Sequence, residues 1–240
     1  MPSTNLKPED ENVALESNRV YRTTYMFSAT MPPAVERMAK MYLRNPVVVT
    51  IGRAGKAGAN VTQTIRLIKE NEKGRKLQYE LDDLRGKASS QCIVFVNTKV
   101  QCNTVARQVE RMGLYCQVLH GGKAQDQREH AIRDFKAKKC NVLVATDVAG
   151  RGIDVADVTK VVNYDMPDNI ESYTHRIGRT GRAGRKGEAV SFLTMADEKI
   201  FYDLVQLLKE SNQKVPGELS KQEAARRKPG VGLPRAFGRR

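Results

Sequence analysis

No apolar run in this sequence approaches the roughly 20 residues that a membrane span needs. The first twelve residues, MPSTNLKPEDEN, contain no apolar h-region, so a secretory signal is not expected. The four cysteines, Cys92, Cys102, Cys116 and Cys140, form no Cys-x-x-Cys pair. That pattern predicts reduced thiols packed as small hydrophobes, an intracellular protein and no zinc or other metal site. Gly55-Lys56 is followed by Ala57 rather than Ser or Thr, which removes a P-loop from the glycine-rich stretch 52–60. No Gly-x-Gly-x-x-Gly follows an early strand, which weighs against a dinucleotide oxidoreductase.

Acidic residues are also short: 27 of them face 41 lysines and arginines among 240 residues, for a formal charge of +14. A balance this basic favours a polyanionic partner, nucleic acid ahead of an acidic membrane. The excess is concentrated in two places. From Lys214 to Arg240 eight basic residues face Glu218 and Glu223, which reads as a solvated, disordered tail that contacts RNA or carries a nuclear-targeting signal. From His175 to Gly187 the triplet Arg-x-Gly occurs four times, with Arg176, Arg179, Arg182 and Arg185 and no acidic residue among them. Guanidinium groups crowded this closely repel one another unless phosphates arrive to neutralise them. The interleaved glycines suit tight bends or close approach to a ligand. A disordered RNA-coating segment is the bland alternative, but the apolar runs on either side suggest a folded mount.

The 40% hydrophobic content is enough for a core. Thr23–Phe27 and Val47–Ile51 read as strands around a helix whose apolar face is Val35, Met38, Ala39, Tyr42 and Leu43. Gly52–Asn60 reads as a linker. Strand and helix signals then alternate. Strands are expected at 61–68, 92–96, 115–119, 141–145, 160–164 and 188–193. Helices are expected at 72–84, 99–112, 125–135, 170–177 and 197–209. This alternation predicts an α/β domain over 59–212, a parallel sheet with helices on both faces. Such sheets bind ligands at the carboxyl ends of their strands. Four polar clusters fall there: Asn97-Thr98, His120-Gly121-Gly122, Thr146-Asp147 running on to Asp154, and Asn163-Tyr164-Asp165.

Together these residues resemble the second RecA-like domain of a DEAD-box ATP-dependent RNA helicase, a fold of the P-loop NTPase superfamily. Phe95-Val96-Asn97 is similar to motif IV, and Gln125-x-x-Arg128 after His120-Gly121-Gly122 to motif IVa. Ala145 to Asp154 is similar to motif V, His175 to Arg182 to motif VI, and Ser28-Ala29-Thr30 to motif III of the first domain. The resemblance implies ATP as cofactor, its magnesium held by the first domain. It implies Gly152 and Asp154 at the nucleotide, Asp154 accepting from ribose, with Arg179 and Arg182 as arginine fingers and His175 coupling the domains. It implies RNA backbone contacts from Asn97, Gly121, Gln125, Arg128 and Thr146, and interdomain coupling through Ser28 and Thr30. Arg176 and Arg185 remain structural or peripheral, and Arg128 could equally be a surface ion-pair partner near Glu129.

Stretches such as MPPAVERMAKMYLRNP and VVNYDMPDNIESYTHRIGRTGRAG are most similar to members of the family that act in splicing. That implies a nucleus-located protein with spliceosomal ribonucleoprotein partners. The sequence contains neither a P-loop nor Asp-Glu-Ala-Asp. Residues 1–51 are therefore expected to be the end of a first domain, 52–58 a linker and 213–240 the tail, and the 240 residues alone are expected not to hydrolyse ATP. A non-catalytic RNA-binding or scaffold module of the same fold is the alternative.

Overall fold

The computed structural model describes residues 23–28, 31, 33–50, 60–85, 90–147, 158–182 and 184–227. They fall into two units, Met1–Gly55 and Lys56–Arg240. The first unit contains helix α1, Pro33–Tyr42, with the prolines tolerated at its start and Glu36 and Lys40 paired at 2.9 Å. The face expected to be a core is only partly covered: Val35, Ala39 and Leu43 are half-buried, Met38 and Tyr42 are exposed, and α1 buries no residue fully. The two strands expected here do not form over the described residues either. Residues 23–28 and 46–50 are irregular, and Phe27, Val47, Val48 and Val49 are exposed. A β-branched run becomes a strand only when another strand completes its ladder, and neither run has such a partner among the described residues. The expected linker lies outside the described residues.

In the second unit the strands are β1 (Val61–Leu67), β2 (Gln91–Phe95), β3 (Cys116–Leu119), β4 (Val142–Ala145), β5 (Val158–Asn163) and β6 (Gly187–Leu193). They form one six-stranded sheet in the order β1-β6-β5-β2-β4-β3. Every pairing is parallel. The helices that alternate with them are α2 (Lys73–Asp82), α3 (Lys99–Arg111), α4 (Gln125–Lys136), α5 (Ile170–Ile177) and α6 (Glu198–Glu210). β2 and β4 are buried along their whole length, which is why both read in the sequence as unbroken apolar runs. Side chains leave a strand alternately to its two faces, so the sheet divides into two cores. Ile93, Phe95, Leu143 and Ala145 join Phe135, Tyr173, Phe201 and Leu204 from α4, α5 and α6. Cys92, Val94, Val142 and Val144 join Leu77, Leu81, Val105 and Val109 from α2 and α3. Each fully buried Val, Leu, Ile or Phe among them contributes about 1.5–3 kcal/mol.

The unit does not stop at residue 212. Two short helices follow, α7 (Gly217–Lys221) and α8 (Glu223–Arg226), and Leu219 and Ala225 are buried in the core that includes α6. The expectation of a disordered tail is thus corrected for 213–227. The basic residues that suggested solvation lie between a few apolar ones, and those few decide the packing. Gln213 contributes too, its Oε1 accepting from the Gln63 backbone N–H at 2.9 Å. Residues 228–240 lie outside the described residues.

Candidate functional site

The register sets the site. Phe95 lies opposite Ala145 and Asn163, Leu119 opposite Ala145, and Asn163 opposite Ser191, so the strand ends are level. The residues that follow therefore stand in a row along one edge of the sheet. Hydrogen bonds between these ends fix the row. Thr146 N–H donates to the Leu119 carbonyl at 3.1 Å, Val96 N–H to Ala145 at 3.0 Å, and Tyr164 N–H to Phe95 at 3.0 Å.

Two of the loops turn into helices that carry side-chain caps. Thr98 Oγ1 accepts from Gln101 N–H at 3.1 Å to start α3, and Asn169 Oδ1 from Ser172 N–H at 2.8 Å to start α5. α5 covers the residues that its sequence pattern predicts and brings His175 and Arg176 to its last turn.

Arg176 is the centre of the arrangement. It is 1% exposed, and its guanidinium uses every nitrogen. Nε and Nη2 donate to the two carboxylate oxygens of Asp147 at 2.6 and 2.8 Å. Nη2 also donates to Asn97 Oδ1 at 2.8 Å, and Nη1 to the Asp165 carbonyl at 2.6 Å. The plane lies 5.3 Å from the Phe95 ring centroid. One side chain thereby ties the ends of β2, β4 and β5 to the last turn of α5.

Asp165 extends the network. Its carboxylate accepts from the Asn97 backbone N–H at 3.1 Å and from Lys73 Nζ at 2.9 Å. Lys73 also meets Glu70 at 2.9 Å and lies 5.5 Å from the Tyr164 ring centroid. Burial works against the Lys73 ammonium, yet the hydrogen bonds to Asp165 and Glu70 outweigh it and raise its pKa. Sequence reasoning missed Lys73, which sits among other charged residues with no local signature. It singled out Asp165 as a strand-end polar residue, and Asp147 as that and as part of the stretch similar to motif V.

Arg179 and Arg182 lie beyond the helix, whose end falls where the sequence pattern puts it. α5 ends at Ile177 with Gly178 as its cap, because the chain tightens there into successive turns. The relation to the helix persists through side chains. Arg179 Nε donates to the His175 carbonyl at 3.1 Å, and Arg182 Nε to the Gly178 carbonyl at 3.0 Å. Cations are favoured at these last carbonyls by the helix dipole. Both arginines are half-buried, whereas Arg185 is exposed.

Two of the interleaved glycines answer to packing rather than to a ligand. A Cβ on Gly181, at φ +70°, would come within 2.6 Å of Val61 Cγ2, and one on Gly187 would overlap the Thr180 hydroxyl. Thr180 is itself buried and donates to the Val158 carbonyl at 2.6 Å.

The other expected residues distribute as follows. Thr146 is buried at the end of β4, and Gly121 is exposed after β3 with open space where a Cβ would stand. Gln125 and Arg128 lie on the first turn of α4, Arg128 Nη1 donating to Gln125 Oε1 at 3.1 Å and Gln125 Nε2 to Glu129 at 2.8 Å. Asn97 already has both amide groups engaged, since its Nδ2 donates to the Met166 carbonyl at 2.7 Å. Ser28 is exposed in the first unit. Thr30, Gly152 and Asp154 lie outside the described residues.

Beside Gly121 stands His120, buried, with Nδ1 accepting from Gly122 N–H at 3.1 Å. Its proton is therefore on Nε2, which has no hydrogen-bond partner among the described residues. Burial first, then Lys123 and Lys99, push its pKa below the ordinary 6.5. The cysteines are all buried and free, and burial raises Cys92, Cys116 and Cys140 to about 12 and Cys102 to about 11.

Comparison with known proteins accords with this arrangement. Residues 72–184 match the family model described as the helicase conserved C-terminal domain. A DEAD-box ATP-dependent RNA helicase of Oryza sativa subsp. japonica is 56% identical over 230 residues, covering 96% of this chain and 31% of the relative. A pre-mRNA-splicing ATP-dependent RNA helicase of Neurospora crassa is 49% identical, covering 97% of this chain and 33% of the relative. The crystal structure of the RNA helicase Prp28 from Chaetomium thermophilum bound to ADP is 43% identical, with a TM-score of 0.62, over 90% of this chain and 51% of that one. The chain thus spans about a third of the length of these curated relatives.

Proposed function

The chain belongs to the DEAD-box family of RNA helicases, and we propose that it is the helicase half that closes over RNA and over an ATP held by a companion domain. The observation that carries this reading is the Arg176–Asp147 pair, which locks the Arg179–Arg182 turn to the strand-end row containing Thr146. Arg179 and Arg182 supply positive charge to the phosphoryl group in transit, where an arginine finger is worth roughly 10³–10⁵ in rate. Their Nε anchorage to helix carbonyls suits that role, because a finger must be held in place before the nucleotide arrives. Gly152 and Asp154 meet the ribose, and His175 couples the two domains.

ATP and its Mg²⁺ are cradled by the companion domain, whose P-loop and Asp-Glu-Ala-Asp residues this sequence does not contain. Hydrolysis by these 240 residues alone is accordingly not expected, since fingers without a cradle hold nothing in line. Residues 1–51 are the end of that companion domain, with Ser28 and Thr30 in interdomain coupling. The exposed Met38 and Tyr42 of α1 and the exposed Val47, Val48 and Val49 support this, being apolar surface that no described residue covers.

RNA runs along Asn97, Gly121, Gln125, Arg128 and Thr146, held by phosphate and sugar without base readout. These positions follow β2, β4 and β3, neighbours in the sheet, so they offer one continuous track. The names of the splicing relatives support a role in pre-mRNA splicing, in the nucleus, with spliceosomal ribonucleoproteins as partners.

The test supplies the chain with a separately produced first domain of a DEAD-box helicase and measures ATP turnover with and without RNA. RNA-stimulated hydrolysis should appear only in the mixture. A mixture no faster than the first domain alone would overturn the enzymatic reading in favour of a binding module. RNA affinity should fall steeply between low and high salt, as phosphate contacts require.

A further inference from the structure

We infer that Tyr173 is a positioning residue for the arginine-rich turn, holding α5 through a line of buried hydrogen bonds that ends on the segment after α6, given that Arg179 and Arg182 act as the fingers proposed above. Both arginines hang on the end of α5, Arg179 Nε on the His175 carbonyl and Arg182 Nε on the Gly178 carbonyl. A rotation or slide of that helix therefore carries them with it. α5 has eight residues and a cap that is local, so its placement on the sheet rests on the side chains it buries, Tyr173, Arg176 and Ile177. Ile177 contributes burial without direction. Arg176 fixes one side, toward the ends of β2, β4 and β5. Tyr173, one turn earlier and wholly buried, fixes the other.

Tyr173 stands in a line of polar groups that crosses an otherwise apolar core. Asn163 lies opposite Ser191 and Ser191 opposite Ile65, so β5 and β6 turn polar side chains to the face that β1 shares through Ile65 and Gln63. Asn163 Nδ2 donates to Ser191 Oγ at 2.9 Å, and Ser191 hydrogen-bonds the Tyr173 hydroxyl. The Tyr173 hydroxyl donates its proton to Gln63 Oε1 at 2.9 Å, so Ser191 is the donor in the bond between them. Gln63 Nε2 donates to Ser211 Oγ at 3.4 Å, and Ser211 to the Leu207 carbonyl at 2.7 Å. Every donor thus points the same way, from the strand-end row toward the end of α6, an order in which each bond polarises the next. Burial pushes the Tyr173 phenol above its ordinary pKa, which keeps it a donor.

The far end of the line is anchored. Gln63 N–H donates to Gln213 Oε1 at 2.9 Å, and Gln213 N–H to the Leu208 carbonyl at 2.7 Å. The segment 211–213 is thereby fastened to the edge strand β1, and Leu219 and Ala225 of α7 and α8 pack into the core after it. A tyrosine kept for bulk alone would need no such partners, since its ring supplies the apolar contact and phenylalanine would fill the same space. The hydroxyl makes the place of the finger turn depend on the chain that follows α6.

Tyr173→Phe keeps the ring and removes the hydroxyl. In ¹⁵N spectra of the 240-residue chain, the Nε–H signals of Arg179 and Arg182 should shift and exchange faster with solvent than in the unaltered chain. Mixed with a separately produced first domain of a DEAD-box helicase, the variant should lose about tenfold in kcat for RNA-stimulated ATP hydrolysis, with KM for ATP and RNA affinity within about twofold, because misplaced fingers act on the transition state. Gln63→Met keeps the length and removes the side-chain amide from the line. It should act in the same direction, and it decides the matter if Tyr173→Phe does not fold. Unmoved Nε–H signals in a folded variant overturn the proposal, whatever its melting temperature, since a merely structural hydroxyl would change stability alone. So does an unchanged kcat in an active mixture. If the unaltered mixture shows no RNA-stimulated turnover, the enzymatic reading falls by itself, and the Nε–H signals still decide whether Tyr173 places the turn.

Discussion

Arg176 and Asp147 meet in a two-point pair, Nε to Oδ1 at 2.6 Å and Nη2 to Oδ2 at 2.8 Å, although 29 positions separate them in the chain. The planar fork of arginine matches both carboxylate oxygens at once, which a lysine cannot do. The pair is the bolt between the strand ends and the arginine-rich turn.

Asp147→Ala should therefore destabilise the second unit by about 3 kcal/mol, the lower end for a broken buried pair because Asp147 is partly exposed. Urea denaturation of the chain measures this. Arg176→Met, which removes the charge and keeps apolar bulk, should cost less than Asp147→Ala. The reverse order would mean that the uncompensated guanidinium is not what hurts.

Arg182→Ala should leave that stability nearly unchanged. In a protein joined to its companion domain, RNA-stimulated ATP turnover should drop roughly 10³-fold or more while RNA affinity stays close to the original. Near-normal turnover would remove Arg182 from the catalytic role.

Leu219→Ala should cost about 2–4 kcal/mol, because Leu219 is wholly buried beside α6. A thermal melt that matches the unaltered chain would show that α7 and α8 are held only loosely.

His120 makes stability depend on acid. Its folded pKa lies below the 6.5 of the unfolded chain, so the unfolded state binds the proton first. The stability it contributes is complete above pH 6.5, declines as the pH falls below that value, and stops declining below the folded pKa. His120→Gln should flatten stability over that window, and an equally steep profile in the variant would locate the acid sensitivity elsewhere.

The four thiols should resist modification in the native state, since burial keeps them protonated at neutral pH. An Ellman titration should report almost no reactive thiol before denaturant is added and four afterwards. Rapid native labelling of any one of them would contradict its burial.

Much of the sheet was readable beforehand for a local reason. Strands buried on both faces must be apolar at every position, so Cys92–Val96 and Val142–Ala145 announce themselves without reference to any partner. Helix α5 was equally plain, framed by the Asn169 cap and Gly178. The runs at 23–27 and 47–51 carried the same local signal and did not become strands over the residues described, because a ladder needs a second strand that no residue pattern within the run can supply.

The sequence by itself determined the alternation of elements, the row of polar strand ends and the likeness to helicases, all of which rest on residues close together in the chain. Its residues presented the four arginines of 176–185 as a repeat, and only the likeness to helicases set Arg179 and Arg182 apart as fingers. Only the tertiary structure supplied their partners, burying Arg176 against Asp147, Asn97 and Asp165 while anchoring Arg179 and Arg182 at the end of a helix. It also decided that Lys73 belongs to the same network and that residues 213–227 are folded. The physical reason is common to these cases: burial and charge pairing are set by groups that folding brings together from distant positions, and no local pattern records which groups those will be.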